Sequence, residues 1–220
     1  MDRNYRKAEM EKKDTADRKL RMYIVRHGET EWNVKRKFQG QLDSPLTEKG
    51  IEEIKNTAEK IKNVNFRQVY TSQLGRAIKS AEIILGKNSQ KISSPIKLPE
   101  LNEIHFGQWQ GLSFDEIFEK YPLDAHNYFN DIKKYEAENI NGEKLENGLE
   151  RFLKGLIKIA ENNDSGNVLV VTHGTVLELF IKFVDGKKYE NLDERKIIKN
   201  GDYKIFTFEE GKFFKIEQEN

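Results

Sequence analysis

The sequence predicts an α/β fold: a three-layer α/β/α sandwich with a mostly parallel sheet and helices on both faces. Three observations predict it. Short apolar runs of strand length alternate with longer stretches whose apolar residues recur every three or four positions. The most hydrophobic run, Val168-Leu169-Val170-Val171, leads into Thr172-His173-Gly174 and then into an apolar helical stretch. No internal repeat and no Pro- or Gly-rich linker breaks the alternation, which is the pattern of strand–helix–strand units.

Taken in order, residues 1–21 stand apart, with eight basic and five acidic side chains. They lack the apolar segment of a signal peptide and carry too many acids for a mitochondrial transit peptide. A solvated charged extension is expected there, followed by one domain over 22–220. Met22-Tyr23-Ile24-Val25 reads as a buried strand with Arg26-His27-Gly28 as its exit. Thr47 can cap a helix whose apolar face is Ile51, Ile54, Ala58 and Ile61. Residues 68–71 form a second strand, and Leu74, Ala77, Ile78, Ala81, Ile84 and Leu85 mark a helix stopping near Gly86. Residues 96–98 are a weaker strand between two prolines. Helices are expected over 113–121 and 123–138, and a clear amphipathic stripe runs from Leu145 to Ala160. After the strand at 168–171 and its apolar helix through Val184, residues 203–208 and 213–216 read as a terminal hairpin around Glu210-Gly211.

Composition removes several functional classes. The chain has 220 residues, 36% hydrophobic and 34% charged, with a mean hydropathy of −0.80. No apolar run reaches the roughly 18 residues that span a bilayer. With 38 Lys+Arg against 37 Asp+Glu, the formal net charge of +1 gives no basic field for nucleic acid. The absence of cysteine excludes disulfides, thiolate metal sites, iron–sulfur clusters and cysteine nucleophiles, and fits a reducing, cytoplasmic setting. There is no Walker A sequence, Asp-x-Asp cluster or metal-ligand histidine pair, so no metal or cofactor is implied. Oligomeric state is not assigned.

Two of the four histidines occupy matching places. His27 and His173 each follow an apolar strand and precede a glycine. Ligands of open α/β sheets bind at the carboxyl ends of strands, where two such exits can share one crevice. Around these residues the sequence resembles the histidine phosphatase superfamily, the fold of cofactor-dependent phosphoglycerate mutase. The resemblance is carried by Arg26-His27-Gly28-Glu29-Thr30 with Asn33, by Gln39-Gly40 and by Ser44-Pro45-Leu46-Thr47-Glu48-Lys49-Gly50. It continues through Tyr70-Thr71-Ser72-Gln73-Leu74-Gly75-Arg76-Ala77, Leu101-Asn102-Glu103 with Gly107-Gln108-Trp109-Gln110-Gly111, and Val171-Thr172-His173-Gly174.

The resemblance implies a catalytic set of His27, Glu103, His173, Arg26 and Arg76. It implies a phosphate cradle of Arg26, Asn33, Gln39, Gly40, Arg76 and His173. Elementary chemistry agrees with these roles. A neutral His27 can attack phosphorus and split one displacement into two. Arg26 and Arg76 offer planar donor forks, and their charge keeps His27 neutral. His173, when protonated, adds a donor. Glu103 is the candidate for protonating the leaving alcohol and later activating water, with Glu100 as its close neighbour in sequence. Trp109 is expected to pack the loop that positions Glu103, and His105 either lines the pocket or is structural. His126 is expected at the surface, and Lys35-Arg36-Lys37 is read as a solvated basic loop able to steer anions.

The substrate class so implied is a small-molecule phosphate ester. Mutases of this family carry an insertion with paired arginines, whereas here no arginine occurs between Gly111 and Arg151. That favours a phosphomonoester hydrolase over a phosphoglycerate mutase. A non-catalytic phosphate-binding or scaffold protein is the alternative of another class, and the intact constellation argues against it. Many of the family's phosphatases have Gly-Glu-Ser where this chain has Gly142-Glu143-Lys144.

Overall fold

Residues 168–171 are buried to the last atom. A strand covered on both sides needs helices on both faces of its sheet. In a computed structural model of the chain, describing residues 19–89, 92, 94–187 and 198–216, that strand lies inside a six-stranded sheet. The strands are β1 (Leu20–Arg26), β2 (Phe66–Thr71), β3 (Ile96–Lys97), β4 (Gly166–Thr172), β5 (Tyr203–Glu209) and β6 (Lys212–Ile216), in the order β3-β2-β4-β1-β5-β6. The first four are mutually parallel, β5 is antiparallel to β1, and β6 is antiparallel to β5.

The helices are α1 (Glu31–Val34), α2 (Glu48–Ile61), α3 (Gly75–Lys87), α4 (Phe114–Lys120), α5 (Pro122–Asn130), α6 (Leu145–Glu161) and α7 (Gly174–Val184). Val25, Val69, Leu169 and Val171 meet Ile54, Ala58 and Ile61 of α2 and Ala77, Ala81 and Ile84 of α3 on one face. On the other face Met22, Ile24, Val168 and Val170 meet Phe152, Leu156 and Ile159 of α6 and Val176, Leu177 and Phe180 of α7. Each fully buried side chain of this size contributes roughly 1.5–3 kcal/mol relative to exposure. Thr47 accepts the N–H of Gly50 at 2.9 Å and caps α2 as expected.

Two expectations need correction, and one element had no expectation. The first strand begins two residues early: Leu20 and Arg21, read from sequence as part of the charged stretch, pair with Gly166 and Asn167. Residues 1–18 lie outside the described residues. The single helix expected over 123–138 stops at Asn130 and gives way to two 3-10 turns, Ile132–Lys134 and Ala137–Ile140. The cause is local and polar. Asn127 donates its side-chain amide to Lys134 O at 3.0 Å, drawing the chain back so that Tyr135 packs on Trp109 and Tyr128. The element without an expectation is α1, held by a capping box between Thr30 and Asn33, which at four residues is too short for periodicity to reveal.

Candidate active site

The register of β1 and β4 builds the site. Arg26 is opposite Thr172, so the next residues, His27 and His173, leave the sheet side by side with ring centroids 5.2 Å apart. The His27 N–H still bonds Thr172 O at 3.0 Å, which carries the strand geometry one residue into the site. Gly28 follows because a Cβ there would overlap the carbonyl of Gly50.

The tautomer of His27 follows from its neighbours. Nδ1 lies 2.8 Å from Gly28 O and Arg76 Nε–H donates to Nε2 at 3.2 Å. A carbonyl only accepts and a guanidinium only donates, so Nδ1 holds the proton and Nε2 the lone pair. Burial, then the charges of Arg76 and Arg26, holds His27 well below the ordinary histidine range, while the Gly28 bond opposes them. The neutral ring, with its lone pair on Nε2, is therefore the form present.

Arg76 is 2% exposed and enters from the first turn of α3. Its remaining N–H groups reach Leu42 O at 2.6 Å, Asp43 Oδ1 at 3.0 Å and Gly40 O at 2.7 Å. Gly40 sits at φ +53°, where a Cβ would also overlap the Gln110 side chain. Gln39 is buried and its side chain accepts from Ser44 at 3.2 Å. Arg26 donates to Ile198 O at 2.7 Å, and its Nε–H has no partner among the described residues. Asn33 commits its side-chain oxygen to Thr30, leaving its NH2 group as what it can offer an anion.

Glu103 is 7% exposed and braced at the start of α7. Its Oε1 accepts the N–H groups of Ile104 and Val176, both at 2.9 Å, and Oε2 accepts that of Thr175 at 3.0 Å. Glu100 faces elsewhere, paired with Lys158 at 3.1 Å. Arg26, His27, Asn33, Gln39, Gly40, Arg76 and Glu103 line one cavity of about 240 Å³. Phe38, Phe106, Phe114, Tyr128 and Phe129 add an aromatic share to its lining, with Lys37, Gly174 and Thr175. Phe38 is the hub, with the Phe106, Trp109, Phe114 and Tyr128 rings 4.9 to 5.7 Å from its own.

His173 departs from expectation. It is fully buried, and burial followed by Arg76, His27 and Arg26 holds it well below the ordinary histidine range. It is thus a neutral ring, and the protonated donor considered from sequence is the disfavoured form. Trp109 is buried against Phe38, Tyr128 and Tyr135 as expected. His105 is structural, accepting the Gly107 N–H at 3.2 Å, and His126 is exposed. The basic triplet is tied down: Lys35 pairs with Glu31, Arg36 lies 5.1 Å over Phe114, and Lys37 donates to Gly111 O at 3.1 Å.

Sequence reasoning missed the residues behind the site. Arg151 donates to the carbonyls of Glu100, Asn102 and Glu103 at 2.9, 2.8 and 3.2 Å, and forks onto Glu143 at 2.9 and 2.8 Å. Glu143 in turn accepts the His105 N–H at 3.1 Å. Asn200 donates to His27 O at 3.1 Å. Ser72 lies against His173. Glu143 and Ser72 were inside motifs already noticed, but nothing in the string told what they touch.

Comparison with known proteins shows the family and the fold. The family profile of the histidine phosphatase superfamily (branch 1) matches residues 22–220. The chain is 30% identical to the 2,3-bisphosphoglycerate-dependent phosphoglycerate mutase of Lactobacillus acidophilus, over 86% of this chain and 94% of that protein. It is 31% identical to the adenosylcobalamin/alpha-ribazole phosphatase of Escherichia coli, over 78% and 82%. Among solved structures, Bacillus stearothermophilus YhfR superimposes with a TM-score of 0.82 at 31% identity, covering 89% of this chain and 95% of that one.

Proposed function

Given that the chain belongs to the histidine phosphatase superfamily, we propose that it is a phosphomonoester hydrolase working through a phosphohistidine on His27. The observation that carries this reading is the His27 ring, buried and neutral, with its Nε2 lone pair beside Arg76, both residues lining the cavity. In the first step the Arg76 Nε–H turns from Nε2 to a phosphoryl oxygen. Nε2 then attacks phosphorus as the ester P–O bond breaks. Arg26, Arg76 and the Asn33 amide receive the non-bridging oxygens.

Glu103 protonates the leaving oxygen. Its Oε2 accepts one N–H where Oε1 accepts two, so Oε2 is the oxygen with room for a proton. In the second step the same carboxylate takes a proton from water, which attacks phosphorus and breaks the P–N bond. Inorganic phosphate leaves and Glu103 is again the acid.

Two features favour water over a phosphoglycerate as acceptor. Apart from Arg26 and Arg76, the described cation lining the cavity is Lys37, which is bonded to Gly111 O. A carboxylated substrate has no arginine pair to grip it there. The aromatic share of the lining instead suits an apolar alcohol. An apolar cavity of about 150 Å³ holds a benzene ring, so about 240 Å³ accommodates a phosphoryl group and a small ring.

The test is single-turnover labelling with radioactive phosphate esters in the presence of EDTA. Wild type should take up an acid-labile, base-stable label and His27→Ala none. Glu103→Gln should slow labelling from alkyl phosphates by about 10²- to 10⁴-fold and affect p-nitrophenyl phosphate less, because nitrophenolate departs without a proton. Label persisting in His27→Ala, or mutase turnover exceeding hydrolysis, would overturn the reading.

A further inference from the structure

We propose that Ser72 is a positioning residue that decides which nitrogen of His173 carries the proton, so that His173 presents an Nδ1–H donor to the phosphoryl group on its way to His27. The catalytic consequence rests on the phosphatase reading above, whereas the placement of the proton stands on hydrogen bonds alone.

Ser72 directly follows β2 and is fully buried. Its Oγ accepts the N–H of Leu74 at 3.2 Å and lies 2.7 Å from His173 Nε2. The hydrogen between Oγ and Nε2 can belong to either partner, and the two arrangements are not equivalent. If Nε2–H donated to Ser72, the hydroxyl hydrogen would have no acceptor among the described hydrogen bonds. His173 Nδ1, which is buried and without a partner, would then be an unpaired lone pair as well. If Ser72 O–H donates to Nε2, every polar group of Ser72 is used: the oxygen accepts from Leu74 and the hydrogen goes to the ring. A neutral imidazole then has its one hydrogen on Nδ1.

That leaves Nδ1–H as a buried donor without a partner among the described residues, on a ring whose centroid is 5.2 Å from that of His27. A phosphoryl group attacked by His27 Nε2 brings three oxygens to this neighbourhood. An imidazolium would supply a donor too, but burial and the two arginines disfavour it. Ser72 recovers the donor without the charge, since the ring is neutral and correctly turned before substrate arrives.

The proton position is read directly by long-range ¹H–¹⁵N correlation on protein labelled with ¹⁵N-histidine, with His173 assigned by comparison with His173→Gln. Wild type should show the Nδ1–H form, and saturating inorganic phosphate should move that proton downfield. Ser72→Ala should give mixed tautomers and slow single-turnover phosphoenzyme formation in proportion to the Nδ1–H fraction lost, approaching the about 10²-fold cost of losing one preorganised donor only as that fraction vanishes. Ser72→Thr, which keeps a hydroxyl, should restore both. An Nε2–H signal in wild type overturns the proposal, as does a Ser72→Ala spectrum that retains Nδ1–H as the sole form. Should wild type form no phosphoenzyme, the phosphatase reading fails while the His173 signal still reports on Ser72.

Discussion

At His27 the protonation state is set by its surroundings, and this has two consequences with pH. Burial, Arg76 and Arg26 hold the ring well below its ordinary value, so the lone pair persists in mild acid. The acid limb of phosphoenzyme formation should therefore lie below about pH 6.5, the free histidine value. Stability follows the opposite course. In the unfolded chain His27 and His173 take up protons below about pH 6.5, whereas the folded chain keeps both neutral. The unfolded state binds more protons in that window, so stability falls as pH falls, by at most about 1.4 kcal/mol per unit per histidine. Urea unfolding between pH 7.5 and 5.5 measures the slope, which should flatten in the His27→Gln/His173→Gln double variant. An equal slope in both proteins refutes this. These two histidines were legible because each ends an apolar run and precedes glycine. Asn200 was not, since its bond to His27 O crosses from the far end of the chain and leaves no local pattern.

Between elements, the Glu103 segment is held from behind by α6. Glu143, just before that helix, and Arg151 within it, with side chains 17% and 23% exposed, tie it to the carbonyls of Glu100, Asn102 and Glu103 and to the N–H of His105. Arg151→Met should cost at least about 2 kcal/mol, as charged hydrogen bonds do. It should also slow phosphoenzyme formation from alkyl phosphates more than from p-nitrophenyl phosphate, because misplacing the acid matters only where a proton is needed. Equal slowing of both substrates would show that the clamp does not serve Glu103. The same helix explains the lysine at 144. Lys144 is the N-cap of α6 and makes no capping bond with its side chain, so a serine there belongs to the helix end. Lys144→Ser should raise stability by about 0.5–1 kcal/mol, seen as a higher urea midpoint with unchanged substrate preference. The long helices were readable from their apolar stripes. The end of α5 was not, because apolar residues continue past Asn130 and the break comes from a side-chain bond that spacing does not encode.

Across the whole molecule, the α/β/α class was readable because apolar runs and stripes alternate. The strand order was not, because no local signal says that β4 inserts between β2 and β1. That insertion has a consequence in time. His27 and His173 become neighbours only when the first and fourth strands pair along their full length. Local helix turns form quickly, whereas pairing strands so distant in sequence must first close a long loop. The two histidines are therefore expected to meet late in folding. In interrupted refolding from urea, the capacity to accept a phosphoryl label should match or trail the recovery of far-ultraviolet ellipticity and never lead it. Labelling at times when the helical signal is still incomplete would contradict this. A nascent chain displaying Arg26, His27, Arg76 and Glu103 thus carries the groups of the proposed site long before the fold brings them together.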